Sequence, residues 1–295
     1  MYVALMVFLM IMCFSFQSLF TRLYSANYAG TDASKATPVF TVCYGLFIAA
    51  ASFLLGGMSF APSWQTWGLG LLNAFMLVLY NTSMIEAGNR GSYSFLMVSS
   101  MFGGILVPMF IGVCFLGESL KGLQIAAVVL MLVALVLMNV RTISFKGASK
   151  AYYLWCIALF MSNGLYGAIQ NLQAQVMNGA ERTEMLTILY ACSALTVIIP
   201  EVVRGRGKAL KEGFKMGKKA AVFLLICCLS ATAAANLLLY ILTLMDSSVL
   251  YTIDSGAVLV VSILYSLVLF KEKPTWEQVI GMAVAVASIV LINIP

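Results

Sequence analysis

The chain has 295 residues, of which 62% are hydrophobic and only 9% charged, with a net charge of +6 and no histidine. An average soluble domain carries about 25% charged residues, so this composition describes an integral membrane protein. The missing histidine excludes a histidine-based catalytic triad, a histidine general base and every histidine-containing metal site.

Nearly all charges fall in short breaks between apolar stretches of about 20 residues, the length that crosses roughly 30 Å of hydrocarbon. Each stretch must satisfy its own backbone in lipid, so helices are expected rather than barrel strands. Ten spans are predicted, near 2–22, 37–58, 64–86, 92–116, 120–140, 151–174, 184–203, 220–244, 247–270 and 275–294. Turn-forming segments separate several of them: AGTD at 29–32, APSW at 61–64, GNRGS at 88–92 and KEKPT at 271–275. Span 1 lacks a basic leader and a small-residue cleavage pattern, so it reads as a retained helix.

Polar residues inside such spans face other helices or water, and they mark the candidate site. Span 1 carries Ser15, Gln17, Ser18 and Thr21, with Arg22 at its end, either snorkelling to the interface or meeting a substrate carboxylate. Span 3 carries Asn73, Tyr80 and Asn81, and span 4 carries Ser99, Ser100 and a kinking Pro108. On span 6, Asn163, Tyr166, Gln170 and Gln173 recur at steps of 3, 4 and 3 and share one helical face, beside Gly164 and Gly167.

Span 8 repeats that pattern with Thr232, Asn236, Tyr240 and Thr243, and span 9 with Tyr251, Ser255, Ser262 and Tyr265. Asp254 lies deep in span 9, where a carboxylate costs roughly 2.5–3.5 kcal/mol on insertion scales unless paired, hydrated or protonated. It reads as a structural acceptor, as the partner of a substrate ammonium group, or as a proton-coupling group. Taken singly, each polar residue reads as ordinary interhelical hydrogen bonding. Together the stripes suggest a hydrated cavity lined by Gln17, Tyr80, Asn81, Ser99, Asn163, Tyr166, Gln170, Asn236, Tyr240, Tyr251 and Asp254. Span 10 presents Gly281, Ala285 and Ser288 as a small-residue packing face, within one chain or between two, consistent with a monomer or a homodimer.

The seven cysteines all lie in apolar segments and read as small buried hydrophobes, so no cofactor or metal is expected. Seven of the 17 basic residues sit in Arg204–Lys219, a loop suited to anionic lipid headgroups rather than to nucleic acid. Loops after the odd-numbered spans hold 15 of the 17 basic residues, and only Lys121 and Arg182 fall on the other side. The positive-inside rule then places both termini outside the cytoplasm.

The two halves also resemble each other. FLGESLKGLQIAAVVLMLVALVLMN at 115–139 aligns with LFKEKPTWEQVIGMAVAVASIVLIN at 269–293, shifted by 154 residues. Glu118 then pairs with Glu272, Gln124 with Gln278 and Asn139 with Asn293. Residues 1–146 and 147–295 each form one five-helix unit in this reading. An odd number of helices makes the second copy insert upside down, as in transporters built from inverted repeats around a substrate site.

FLGESL at 115–120, LFKEKPTW at 269–276, CFSFQSLFTR at 13–22 and MSNGLYGAIQN at 161–171 resemble the drug/metabolite transporter superfamily, specifically its ten-helix EamA-type members. Many relatives carry Glu-Pro early in spans 4 and 9. Here span 9 has Asp254-Ser255 and the matching part of span 4 has no acid. The resemblance implies an all-α integral membrane protein of two inverted five-helix repeats. It further implies a bacterial plasma-membrane transporter that exports small polar or amphiphilic metabolites by alternating access. Amino acids or related amines suit the amide, hydroxyl and carboxylate groups. Cationic multidrug efflux and lipid-linked sugar flipping are the alternatives within that class, and a membrane scaffold or receptor lies outside it. Nothing matches a P-loop, so energy from ATP through this chain alone is not expected.

Overall fold

The computed structural model describes residues 2–28, 36–88, 90, 93–140, 149–203, 211, 213–269 and 275–292. They form ten α-helices: α1 (Tyr2–Asn27), α2 (Ala36–Leu55), α3 (Trp64–Gly88), α4 (Tyr93–Phe115), α5 (Gly122–Asn139), α6 (Lys150–Val176), α7 (Arg182–Val203), α8 (Lys218–Ile241), α9 (Ser247–Leu269) and α10 (Trp276–Ile292). The ten predicted spans coincide with these helices to within a few residues at most ends. Span 1 is longer than expected, because the LYSAN continuation at 23–27 stays helical, with Tyr24 buried and the Asn27 amide donating back to the Leu23 carbonyl at 2.8 Å. Span 8 is shorter, because Leu244 and Met245 both donate to the Ile241 carbonyl and close the helix in a turn.

Six helices among the described residues are long and apolar enough to cross a membrane by length and composition. Large side chains such as Leu5, Phe8, Leu54, Phe110, Val129 and Leu195 stand exposed on them, as a lipid-facing surface requires. Trp64 and Trp276, 81% and 78% exposed, sit at the first residues of α3 and α10, the depth at which tryptophan anchors to a membrane interface.

Helix starts follow local chemistry. Ser149 caps α6 by accepting the Tyr152 N–H at 3.2 Å. At α5 the Gln124 side chain receives the Lys121 N–H at 2.9 Å, and at α10 the Gln278 side chain receives the Thr275 N–H at 3.0 Å. These are the two glutamines that the 154-residue shift aligns, and they perform one capping task. Glu272 and Asn293, the other second-half partners in that alignment, lie outside the described residues.

The chain divides into two compact units, one of residues 1–75 and 179–240, the other of 76–178 and 241–295. In the first, α2 packs against α7 through small residues. A Cβ on Gly45 would meet the Tyr190 carbonyl at 2.8 Å and the Ala194 Cβ at 3.0 Å. Its core joins Tyr24, Ala220, Leu224 and Cys228, and a line of rings runs from Tyr28 through Tyr24 and Phe40 to Tyr44 and Tyr190. Glu181 takes both the backbone N–H and the hydroxyl of Ser63, each at 2.8 Å, and fixes the start of α3.

In the second unit, α4 packs on α6 and α5 on α10. Gly103 faces the backbone of Phe160, and Gly164 faces Val107 and the Gly103 carbonyl, so α4 and α6 cross almost backbone to backbone. The Gly281–Ala285–Ser288 face of α10 is used within the chain. A Cβ on Gly281 would lie 2.6 Å from the Met138 Cγ, and the Ser288 hydroxyl donates to the Ala127 carbonyl at 2.6 Å.

Candidate functional site

The predicted site residues fall into both units, and each group is described within its own. In the second unit the chemistry gathers where α4, α6 and α9 meet. Tyr251 of α9 is buried, and its hydroxyl donates to the Gly167 carbonyl of α6 at 2.8 Å. Gly167 makes room for that ring, since a Cβ there would stand 3.2 Å from the Tyr251 Cζ and 3.3 Å from the Pro108 Cγ. Pro108, within α4, thus packs at the same point.

Asp254 lies three residues further along α9, close to one turn beyond Tyr251. Its side chain is half-buried, and its Oδ1 is enclosed without a hydrogen-bond partner. The neighbouring hydroxyls are committed elsewhere: Tyr251 donates to Gly167 O, and Thr252 to Ser248 O at 2.7 Å. On α6, Gln170 is 1% exposed and its Oε1 is likewise buried without a partner. Buried polar atoms are almost always hydrogen-bonded, so two such oxygens on neighbouring elements define an acceptor-rich interior.

The other predicted residues of this unit have ordinary structural partners. The Asn163 amide donates to the Ser100 carbonyl at 2.8 Å, joining α6 to α4. Ser99 donates to its own helix at Phe95 O, and with Phe95, Tyr153, Cys156, Ile157 and Phe160 it lines an apolar groove of about 200 Å³. Tyr80 packs against the apolar cluster of Ala87, Leu96, Tyr152, Cys156 and Leu159. Asn81 and Tyr166 are half-buried.

In the first unit, Gln17 of α1 donates through Nε2 to the Tyr44 hydroxyl at 2.8 Å, leaving its Oε1 buried and without a partner. Thr21 donates to the Gln17 carbonyl at 2.8 Å and lies 3.3 Å from the Cys227 sulfur of α8. Asn236 donates back to Thr232 O in its own helix at 2.9 Å. Tyr240 lies under the Arg182 guanidinium, whose Cζ is 5.2 Å from the ring centroid, a cation–π contact between α8 and α7. Arg22 is exposed.

Sequence reasoning missed one residue of this unit and one of the other. Asn73, already marked by the polar pattern of span 3, is fully buried with neither amide atom partnered, while the unmarked Tyr44 is the partner of Gln17. Glu118, which the repeat alignment pairs only with Glu272, accepts hydrogen bonds from Ser247, Ser248 and Asn171. Burial pushes its carboxyl up, but the Ser248 and Ser247 hydrogen bonds outweigh that and hold it below the usual carboxylate value.

With only helices as regular structure among the described residues, several of them of membrane length and some carrying buried polar atoms without partners, the chain is a multi-pass membrane protein. Residues 150–294, the second half of the chain, match the EamA-like transporter family, which places this protein among membrane transporters of the drug/metabolite transporter superfamily. The matched family is one of transporters, not enzymes. A solved crystal structure of a protein shares the fold with a TM-score of 0.74 at 15% identity, covering 99% of this chain and 96% of its own. No curated protein matches the chain.

Proposed function

We propose that this protein is a secondary transporter that exports small polar or amphiphilic metabolites, amino acids or related amines among them, by alternating access across a bacterial plasma membrane. Residues 1–146 and 147–295 are its two five-helix repeats, inverted with respect to each other. The spacing of helix starts supports this division: α3 and α8, α4 and α9, and α5 and α10 each begin 154 residues apart. The basic-residue asymmetry supports termini outside the cytoplasm.

The observation that carries the functional reading is the Asp254 Oδ1, enclosed on the apolar helix α9 with no donor. A substrate ammonium group or a transported proton supplies what the protein does not. The α6 amide of Gln170 adds a neutral acceptor of the same kind.

The test is efflux of an amino acid and amine panel from liposomes holding purified protein, with and without a pH gradient, for wild type and Asp254→Asn. The expected result is flux for at least one amine-bearing solute and its loss in the variant, at unchanged thermal stability. Flux and pH response equal to wild type in the variant would remove Asp254 from the mechanism. Flux of bulky hydrophobic cations alone would favour multidrug efflux, and an absence of flux under every gradient would overturn the transporter reading.

A further inference from the structure

Glu118 receives five hydrogen bonds. Four come from the first two residues of α9: Ser247 N at 3.1 Å, Ser247 Oγ at 2.7 Å, Ser248 N at 3.3 Å and Ser248 Oγ at 2.6 Å. The fifth comes from the Asn171 amide of α6 at 3.0 Å. The chain around it is shaped for this carboxylate. Gly117, with φ of +74°, turns the end of α4, and the Glu118 N–H returns to the Gly112 carbonyl at 3.0 Å. Gly112 lies under the carboxylate, where a Cβ would stand 2.5 Å from the Glu118 Cδ.

An ordinary helix cap would need none of this. Asp246 precedes α9, and its carbonyl accepts the Leu250 N–H, so it occupies the position at which an aspartate normally caps its own helix. The first N–H groups of α9 turn instead to a carboxylate 129 residues earlier in the chain. A local cap stabilises a helix wherever the helix goes. A remote one also fixes where the helix starts and how it is rotated. Charge-assisted bonds from both hydroxyls and both N–H groups leave α9 little freedom to slide or turn while Glu118 holds it.

We propose that Glu118 is a positioning residue of the transport mechanism: by clamping the N-terminus of α9 to α6 and to the α4–α5 turn, it sets the presentation of Asp254. This rests on the functional reading of Asp254 above. Asp254 lies seven residues after Ser247, about 10 Å along the helix, so a small rotation at the clamp displaces the carboxylate as a rigid body.

The test reads Asp254 itself and needs no substrate. Purified protein in liposomes is treated with dicyclohexylcarbodiimide, a lipid-soluble reagent for membrane carboxyls, and modification of Asp254 is followed by peptide mass spectrometry. Glu118→Ala, which removes all five bonds, is expected to raise the labelling rate at least tenfold, a shift of ~1.4 kcal/mol that is no more than one charge-assisted bond contributes. Glu118→Gln, which keeps an acceptor oxygen, falls between. Ser248→Ala, which removes a single hydroxyl and preserves the backbone donor, raises it less than Glu118→Ala and serves where that variant does not fold. Ser288→Ala, which loosens α10 on α5 away from the clamp, stays at the wild-type rate.

Labelling at the wild-type rate in Glu118→Ala and Ser248→Ala overturns the proposal, whatever happens to thermal stability. An equal rise in Ser288→Ala overturns it too, by showing general loosening. A failed efflux test of Asp254→Asn would instead remove the functional reading and leave the labelling pattern intact.

Discussion

The crossing of α4 and α6 offers a sharp test of the packing, because two adjacent glycines meet different obstacles. A methyl group on Gly103 would be driven into the backbone carbonyl of Phe160, with the Phe160 carbonyl carbon and Cα close behind. A comfortable carbon–oxygen contact is about 3.3–3.6 Å, so the helices would have to part by roughly 1 Å or more. Neither backbone can turn aside within a continuous helix. Overpacking of this kind costs about 1–3 kcal/mol, and the rigid obstacle puts Gly103→Ala at the upper end.

Parting the helices also stretches the Asn163–Ser100 bond, an interaction of a kind worth about 0.6 kcal/mol between membrane helices. The expected loss is therefore ~3 kcal/mol, or about 6–12 °C in melting temperature for a chain of this size. Gly104→Ala is the matched control. Its methyl group would meet the Asn163 Nδ2 at 2.9 Å, a side-chain tip that can swing away. That change forfeits one interhelical hydrogen bond and costs about 0.6–1.7 kcal/mol. Thermal unfolding in detergent, followed by the fluorescence of the four tryptophans, measures both. A Gly103→Ala melting point equal to wild type, or a larger fall in Gly104→Ala, would refute the backbone-to-backbone crossing.

Two further predictions concern charge. The Glu118 carboxyl is held below its ordinary value in the folded state, so its contribution to stability is complete above the unfolded value and fades as pH falls through the folded one. Melting temperature between about pH 6 and pH 3 should drop more steeply in wild type than in Glu118→Gln, and parallel profiles would contradict the clamp. The basic-loop asymmetry predicts that an impermeant thiol reagent added outside intact cells labels a cysteine placed at the N-terminus and misses one at position 208, in a background cleared of native cysteines. The opposite pattern would reverse the orientation.

The helices were legible because hydrocarbon thickness and backbone satisfaction leave few options, and because breaks such as APSW carry recognisable turn chemistry. Even the capping glutamines at 124 and 278 stood out as a repeat. Their shared task appears only where Lys121 and Thr275 donate to them. The site was harder to read. A period of 3.6 tells which residues share a face, but not whether a polar tip on that face is already bonded. Asn163 and Asn236 belong to clean stripes, yet both donate to backbone carbonyls. Glu118 stood in a segment with Lys121 three residues on, and its true partners are separated by 53 to 130 residues of sequence. No local pattern signals that, and Gly112 reads as an ordinary small residue until the carboxylate is seen against it.

The contrast between Glu118 and Asp254 bears on mechanism. Both are carboxylates of the same compact unit. Two carboxylates of this chain hold its loops through donors: Glu118 has two N–H groups, two hydroxyls and an amide, and Glu181 has the N–H and hydroxyl of Ser63. Asp254 has no such arrangement at Oδ1, although Tyr251 and Thr252 adjoin it on the helix. Their hydroxyls go to backbone carbonyls that already serve helical bonds. Burying the acid there without a donor at Oδ1 costs stability. The proposed function offsets that cost during transport: a substrate ammonium group or a proton is the donor that comes and goes, on a helix whose start another acid clamps.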